Sequence, residues 1–154
     1  MMTSDTPSDV IWVDTCILVY ANLKLSPFHQ QTVERLKSYD EKGCELWISR
    51  QTLREYLSAM TKQSMLTSAI PLSSLIADVR YFANRFLVGE DGPKVTESLL
   101  NLISQSPTGG KQIHDANIVA TMLEYGVNRL LTHNVKDFKR FSNVITIIPL
   151  ETVN

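Results

Sequence analysis

Cysteine is scarce: Cys16 and Cys44 are the only two in 154 residues. A disulfide framework is thereby excluded, and their wide separation fits no zinc motif. Neither sign of charge prevails, with fifteen Lys and Arg against sixteen Asp and Glu and a net charge of −1. A strongly basic nucleic-acid binder is excluded, so any nucleic acid must be held by local patches. No run approaches the roughly 18 uninterrupted apolar residues that a membrane-spanning helix needs. The first nine residues carry Asp5 and Asp9 but neither Lys nor Arg. No signal peptide is expected there, and the chain should be soluble and cytoplasmic, with reduced thiols. Its three histidines, His29, His114 and His133, show no metal-ligand spacing with one another.

What is present is enough apolar material for a core. Hydrophobic residues make up 44% of the chain, which rules out disorder over most of its length. The reading is a polar tail over 1–9 and one α/β domain over 10–150. Val10 to Val13, Glu45 to Ile48, Phe86 to Gly89, Arg129 to Thr132 and Val144 to Ile148 read as five short strands. Between them lie helical patterns: Thr15 to Asn22, a helix opened by Ser26-Pro27 and stopped near Gly43, one capped by Ser49, one opened by Pro71, Val95 to Ile103, and Ile113 to Tyr125 before Gly126. The stretch from Ser106 to Gly110 reads as a loop. Strands alternating with helices imply a parallel sheet of about five strands, flanked by helices on both faces.

In such a sheet, ligands collect outside the carboxyl ends of the strands. Asp14 stands there after the first strand, in an otherwise apolar segment. A carboxylate in that place is costly unless it is paired, hydrogen-bonded or bound to a cation, although Asp also serves as a helix cap. Thr132 and Asn134 follow the fourth strand, and Asp137 lies a little beyond. Glu55 falls in the second turn of the helix after the second strand. Asp115 is the awkward member, because its helix follows a glycine loop rather than a strand. Taken singly, Asp14 reads equally well as a helix cap or as a functional carboxylate, whereas Asp115 reads rather as a first-turn acid that complements the helix dipole, Glu55 as a solvated helix residue and Asp137 as a turn cap.

The segments around them resemble a known family. Val13-Asp14-Thr15-Cys16-Ile17-Leu18-Val19-Tyr20 is similar to the opening strand and turn of PIN domains. The run from Ile48 to Glu55, with Ser49, Gln51, Thr52 and Leu53, resembles their second motif. Ile113-His114-Asp115-Ala116-Asn117-Ile118-Val119-Ala120 resembles the third, and Leu131-Thr132-His133-Asn134-Val135-Lys136-Asp137-Phe138 the fourth. The motifs occur in order from about Val10 to Leu150, and the compact length resembles VapC, the toxin of type II toxin–antitoxin pairs.

The resemblance implies a PIN-like fold and an endoribonuclease that depends on Mg²⁺ or Mn²⁺. It makes Asp14 and Asp115 the metal ligands, Glu55 and Asp137 the further catalytic acids, and Thr132 and Asn134 their supports. It also implies a VapB-like antitoxin partner and a homodimer. The antitoxin would lie as an apolar helix over a surface carrying Leu18, Tyr20, Leu53 and Leu57. Two departures stand out: Cys16 occupies a position where the family usually has Asn, and the fourth acid is often found where Asn134 stands.

The chemistry accords with those residue types. Phosphodiester hydrolysis brings a nucleophile to an anionic centre, and a hard cation held by carboxylates meets that need. RNA phosphates would then be held by Arg50, Arg54, Lys111 and Lys136, with Lys139 and Arg140 nearby. Phosphatases of the haloacid-dehalogenase type want a second acid two positions after the first, where this chain has Cys16. A housekeeping RNA-processing nuclease and a catalytically silent PIN-like binding module are the remaining alternatives.

Overall fold

The computed structural model describes residues 10–67 and 70–151, so the polar tail expected over 1–9 lies outside the described residues. Five strands form one parallel sheet: β1 (Val10–Val13), β2 (Glu45–Ser49), β3 (Leu87–Gly89), β4 (Arg129–Thr132) and β5 (Thr146–Pro149). Their order across the sheet is β3-β2-β1-β4-β5. The chain builds outward from β1 in one direction, then crosses back to β4. A crevice therefore opens between the carboxyl ends of β1 and β4, where the winding reverses.

Among the described residues seven helices flank the strands: α1 (Thr15–Asn22), α2 (His29–Glu41), α3 (Arg50–Thr67), α4 (Leu72–Arg85), α5 (Pro93–Gln105), α6 (Gln112–Glu124) and α7 (Val135–Phe138). Strand side chains alternate between the two faces, and two separate cores result. Ile11 and Val13 of β1, Leu46 and Ile48 of β2 and Leu131 of β4 pack with α1 to α4. Trp12 and Leu130 point the other way, toward Leu102 of α5, four buried residues of α6 and Phe138 of α7. The expected α/β sandwich with helices on both faces is therefore the fold. Among the described residues no helix is long and apolar enough to cross a membrane.

β3, α5 and α6 begin at Leu87, Pro93 and Gln112 rather than at Phe86, Val95 and Ile113, and two further starts differ for a visible reason. Ser26 and Pro27 do not open α2, because Ser26 forms a turn first. Its hydroxyl accepts from Phe28 N at 3.1 Å and its carbonyl from His29 N at 3.1 Å. β5 begins at Thr146 rather than Val144, since the backbone N–H groups of Val144 and Ile145 still bond to Phe141 O at the exit of a 3-10 turn over Lys139–Phe141. The β-branched run there has strand propensity, but Ile145 is drawn into the second core.

Gly89 ends β3 directly beside Trp12. A Cβ there would lie 2.6 Å from Trp12 Cη2 and 3.1 Å from Thr121 Cγ2. Trp12 is fully buried and stacked on Trp47 at 5.6 Å, so its ring has little room to yield. Gly89→Ala should therefore destabilise the protein by about 2–3 kcal/mol through overpacking. Thermal melting would show this as a fall of about 5–10 °C. An unchanged melting temperature would mean that the ring moves aside freely.

Candidate active site

Asp14 leaves the end of β1 with its amide hydrogen-bonded to Leu131 O, which extends the β1–β4 pairing into the crevice. Its carboxylate is 5% exposed. Oδ1 accepts from Thr15 N at 2.8 Å and so caps α1. Oδ2 accepts from Thr132 Oγ1 at 2.7 Å and from Cys16 Sγ at 3.5 Å. The cap and the site residue are the same group. Burial raises the Asp14 pKa above the usual carboxylate value, the three donors pull it back, and Glu55 adds a small upward push. Cys16 thus contributes a thiol bond to Asp14. Burial and the neighbouring Asp14 push that thiol up to about 12, so it stays protonated and able to donate.

Thr132 links β4 to Asp14. Its hydroxyl donates to Asp14 and accepts the backbone N–H of Asn134 at 2.9 Å. Asn134 in turn opens α7, its carbonyl accepting from Asp137 N. Glu55 is held from both sides, by Thr15 Oγ1 on Oε1 and Gln51 Nε2 on Oε2, each at 2.8 Å.

The same Gln51 amide also donates to the carbonyl of His114 at 3.0 Å. Its Oε1 accepts from Asn117, which reaches on to Asp91. This buried glutamine explains how α6, which follows a loop, still delivers Asp115 to the rim: it ties the first turn of α6 to α3. Asp14, Glu55, Asp115 and Asn134 line one open cleft together with Thr15, Cys16, Tyr20 and Lys62.

Asp115 carries the clearest electrostatic signature. Its pKa rises to about 7, first by burial and then through the negative charges of Asp137, Asp14 and Glu55, against a small opposing pull from Arg140. Asp137 sits exposed on α7 and acts on Asp115 through its charge, outside the cleft lining.

The basic residues distribute differently from expectation. Arg50 pairs with Glu90 through two hydrogen bonds, so its guanidinium is engaged at the surface. Arg54, Lys111, Lys136, Lys139 and Arg140 are exposed and do not line the cleft. Lys62, which the sequence reading missed, does. A signal for it exists: Glu55, Ser58, Ala59 and Lys62 recur at helical spacing on α3, and all four line the cleft. Gln51 and Thr15 entered the sequence reading only as members of the PIN-like motifs, without a role, since a lone amide or hydroxyl carries no periodic signal.

The apolar surface expected for a helical partner is also corrected. Leu18 and Leu53 are 1% and 6% exposed core residues, and Leu57 and Tyr20 pack against that core. The exposed apolar side chains include Leu72, Ile76 and Tyr81 of α4.

The donor set suits a hard divalent cation. It consists of carboxylates, and burial together with their crowding raises the pKa of Asp115, a penalty that a bound cation would relieve. Among the described residues, no three His, Cys, Asp or Glu side chains form a group able to hold an ion unaided. An ion here would take one or two carboxylates and complete its shell with water and substrate oxygens, a mode usual for Mg²⁺.

Neither a protein-family model nor a curated protein sequence matches the chain. Solved structures do match it. A chain in the structure of VapBC2 from Rickettsia felis bound to a promoter DNA fragment aligns at 22% identity and TM-score 0.64, covering 91% of this chain and 98% of that one. A toxin–antitoxin complex from Klebsiella pneumoniae aligns at 17% identity and TM-score 0.65, covering 93% and 99%. VapC20 from Mycobacterium tuberculosis, described as a Sarcin-Ricin loop cleaving toxin, aligns at 16% and TM-score 0.60, covering 78% and 86%. At these identities the likeness establishes a shared fold.

Proposed function

We propose that the chain is a VapC-like endoribonuclease toxin that cleaves RNA phosphodiesters with Mg²⁺ or Mn²⁺. The observation that carries this reading is the convergence of Asp14, Glu55 and Asp115 on one cleft at the strand ends. They come from three elements far apart in sequence. The fold shared with toxin structures, one of them described as a Sarcin-Ricin loop cleaving toxin, supports it.

Asp14 and Asp115 are the residues to hold the ion. Such a cation, when bound, withdraws charge from a phosphate oxygen and lowers the pKa of a bound water. The protein's own contribution is orientation. Thr15 N, Thr132 and Cys16 fix the Asp14 carboxylate, and Gln51 and Thr15 hold Glu55 beside it. In this reading Glu55 accepts a proton from an attacking water at the cleft. Lys62 offers a positive charge on the same wall for a flanking phosphate. The partner in this reading is a VapB-like antitoxin, as in the VapBC complexes that share the fold, and the protein would form homodimers.

Purified chain stripped with EDTA should leave RNA intact, and Mg²⁺ or Mn²⁺ should restore cleavage. Gel analysis of a structured RNA reads the result. Cleavage that persists in EDTA would refute the metal requirement, and none with any divalent ion would favour a silent binding module.

A further inference from the structure

The carboxylate cleft has an aromatic wall. Tyr20 lines it alongside Asp14, Glu55 and Asp115. Behind Tyr20 stand Phe28, with ring centroids 5.1 Å apart, and His133 at 5.6 Å; Phe28 and His133 are themselves 4.3 Å apart.

The three rings come from separate segments: α1, the α1–α2 connection, and the turn after β4. Each segment is fastened to its neighbours. His29 Nδ1 lies 2.8 Å from Tyr20 O, which joins the start of α2 to α1. The backbone N–H of His133 donates to Cys16 Sγ, and its neighbour Thr132 bonds Asp14. All three rings are half-buried, unlike the fully enclosed Phe138 and Phe141 of the second core. A rigid aromatic group therefore adjoins the acids and keeps part of its surface open.

We infer that Tyr20, backed by Phe28 and His133, is a stacking platform for one nucleobase of single-stranded RNA beside the phosphate to be cut. The inference rests on the ribonuclease reading and names a substrate contact within it. A phosphodiester placed at the carboxylates necessarily brings its bases within one nucleotide of the same walls. Every base offers a flat face, and a preordered ring group can meet it at little entropic cost. Continuity of this wall with the acids favours a base over an apolar side chain of a protein partner. Lys62 in the same lining supplies the charge that a backbone phosphate needs and an apolar side chain does not.

The test uses the Asp115→Asn chain, to prevent turnover, and fluorescein-labelled single-stranded RNA followed by anisotropy. Tyr20→Leu should weaken binding by about 5- to 100-fold, whereas Tyr20→Phe should stay within about twofold. An abasic scan of the RNA provides the decisive arm and leaves the protein's platform intact. At one position, removing the base should weaken binding by a similar factor, and at that position Tyr20→Leu should cost nothing further. The inference is overturned if no abasic position weakens binding, or if the two losses multiply at every position. If the unmutated chain cleaves RNA yet either result appears, the stacking inference falls alone. If the chain neither binds nor cleaves RNA, the ribonuclease reading falls with it.

Discussion

Asp115→Asn should lower metal-supported RNA cleavage by about 10³-fold, some 4 kcal/mol of barrier, while making the metal-free protein more heat-stable. The two effects share one cause. Asp115 is pressed by burial and by the charges of Asp137, Asp14 and Glu55, which lift its pKa from 3.8 to about 7. A folded-state pKa above the unfolded one means that the native state holds the proton more tightly. Below about pH 4 the group is protonated in both states and contributes nothing to the difference. Between pH 4 and 7 the unfolded chain releases the proton first, so stability falls as pH rises, and it levels off above 7. Asn carries no charge and removes that slope.

One pKa unit is worth about 1.4 kcal/mol, but solvent screens a half-exposed carboxyl, so about 1–2 kcal/mol is expected at pH 7. Melts in EDTA from pH 4 to 8 should show the two proteins converging at the acid end and the variant higher by a few degrees at neutral pH. A variant that cleaves RNA at the parent rate, or that melts with the parent's pH profile, would end the assignment of Asp115.

Why Asp14 was legible and the means of placing Asp115 was not follows from range. The turn after β1 is local: an apolar β-branched run, then a carboxylate, then a short apolar helix. Asp14 could be located at a strand end from ten residues. Asp115 reaches the same rim through Gln51 and the His114 carbonyl, a contact between positions 63 residues apart. No periodicity encodes such a bond, and only the resemblance of short motifs to PIN domains anticipated the convergence. That four short motifs suffice also accords with a fold shared at 16–22% identity. The sheet needs alternating apolar positions, and the cleft needs a few polar ones.

The basic residues went astray for the complementary reason. Arg50 and Arg54 were chosen for nearness to Glu55 in sequence, but on a helix the shared face recurs at three, four and seven positions. Lys62 satisfies that rule. Arg50 does not, and Glu90 engages it instead.

Thr132→Val is expected to lower both stability and cleavage. The two side chains have nearly the same shape, so packing in the buried β4 end is kept and only the hydroxyl is lost. Three contacts go with it: the donation to Asp14 Oδ2, the acceptor for Asn134 N and a longer one with Cys16 Sγ at 3.7 Å. Hydrogen bonds to a charged group are worth about 1.5–3 kcal/mol, and at 5% exposure Asp14 gives solvent little access to take the hydroxyl's place. A drop of about 5–10 °C in melting temperature is therefore expected at neutral pH.

The sign of its pH dependence is also set. Burial already raises the Asp14 pKa, and Thr132 is the largest influence holding it down. Without that hydroxyl the carboxyl moves further up. The extra destabilisation is then greatest where Asp14 must be ionised, and it shrinks as acid neutralises the group in the folded state. RNA cleavage should fall by about 10- to 100-fold, the usual cost of losing a group that orients a metal-binding side chain. Thr132→Ser separates the hydroxyl from the methyl: it keeps the hydroxyl's bonds and gives up about 1 kcal/mol of buried surface. Serine should therefore stay close to the parent in stability and cleavage, with valine well below it. The reverse order would show that Thr132 acts by filling space, and that Asp14 is held in place by Thr15 and Cys16 alone.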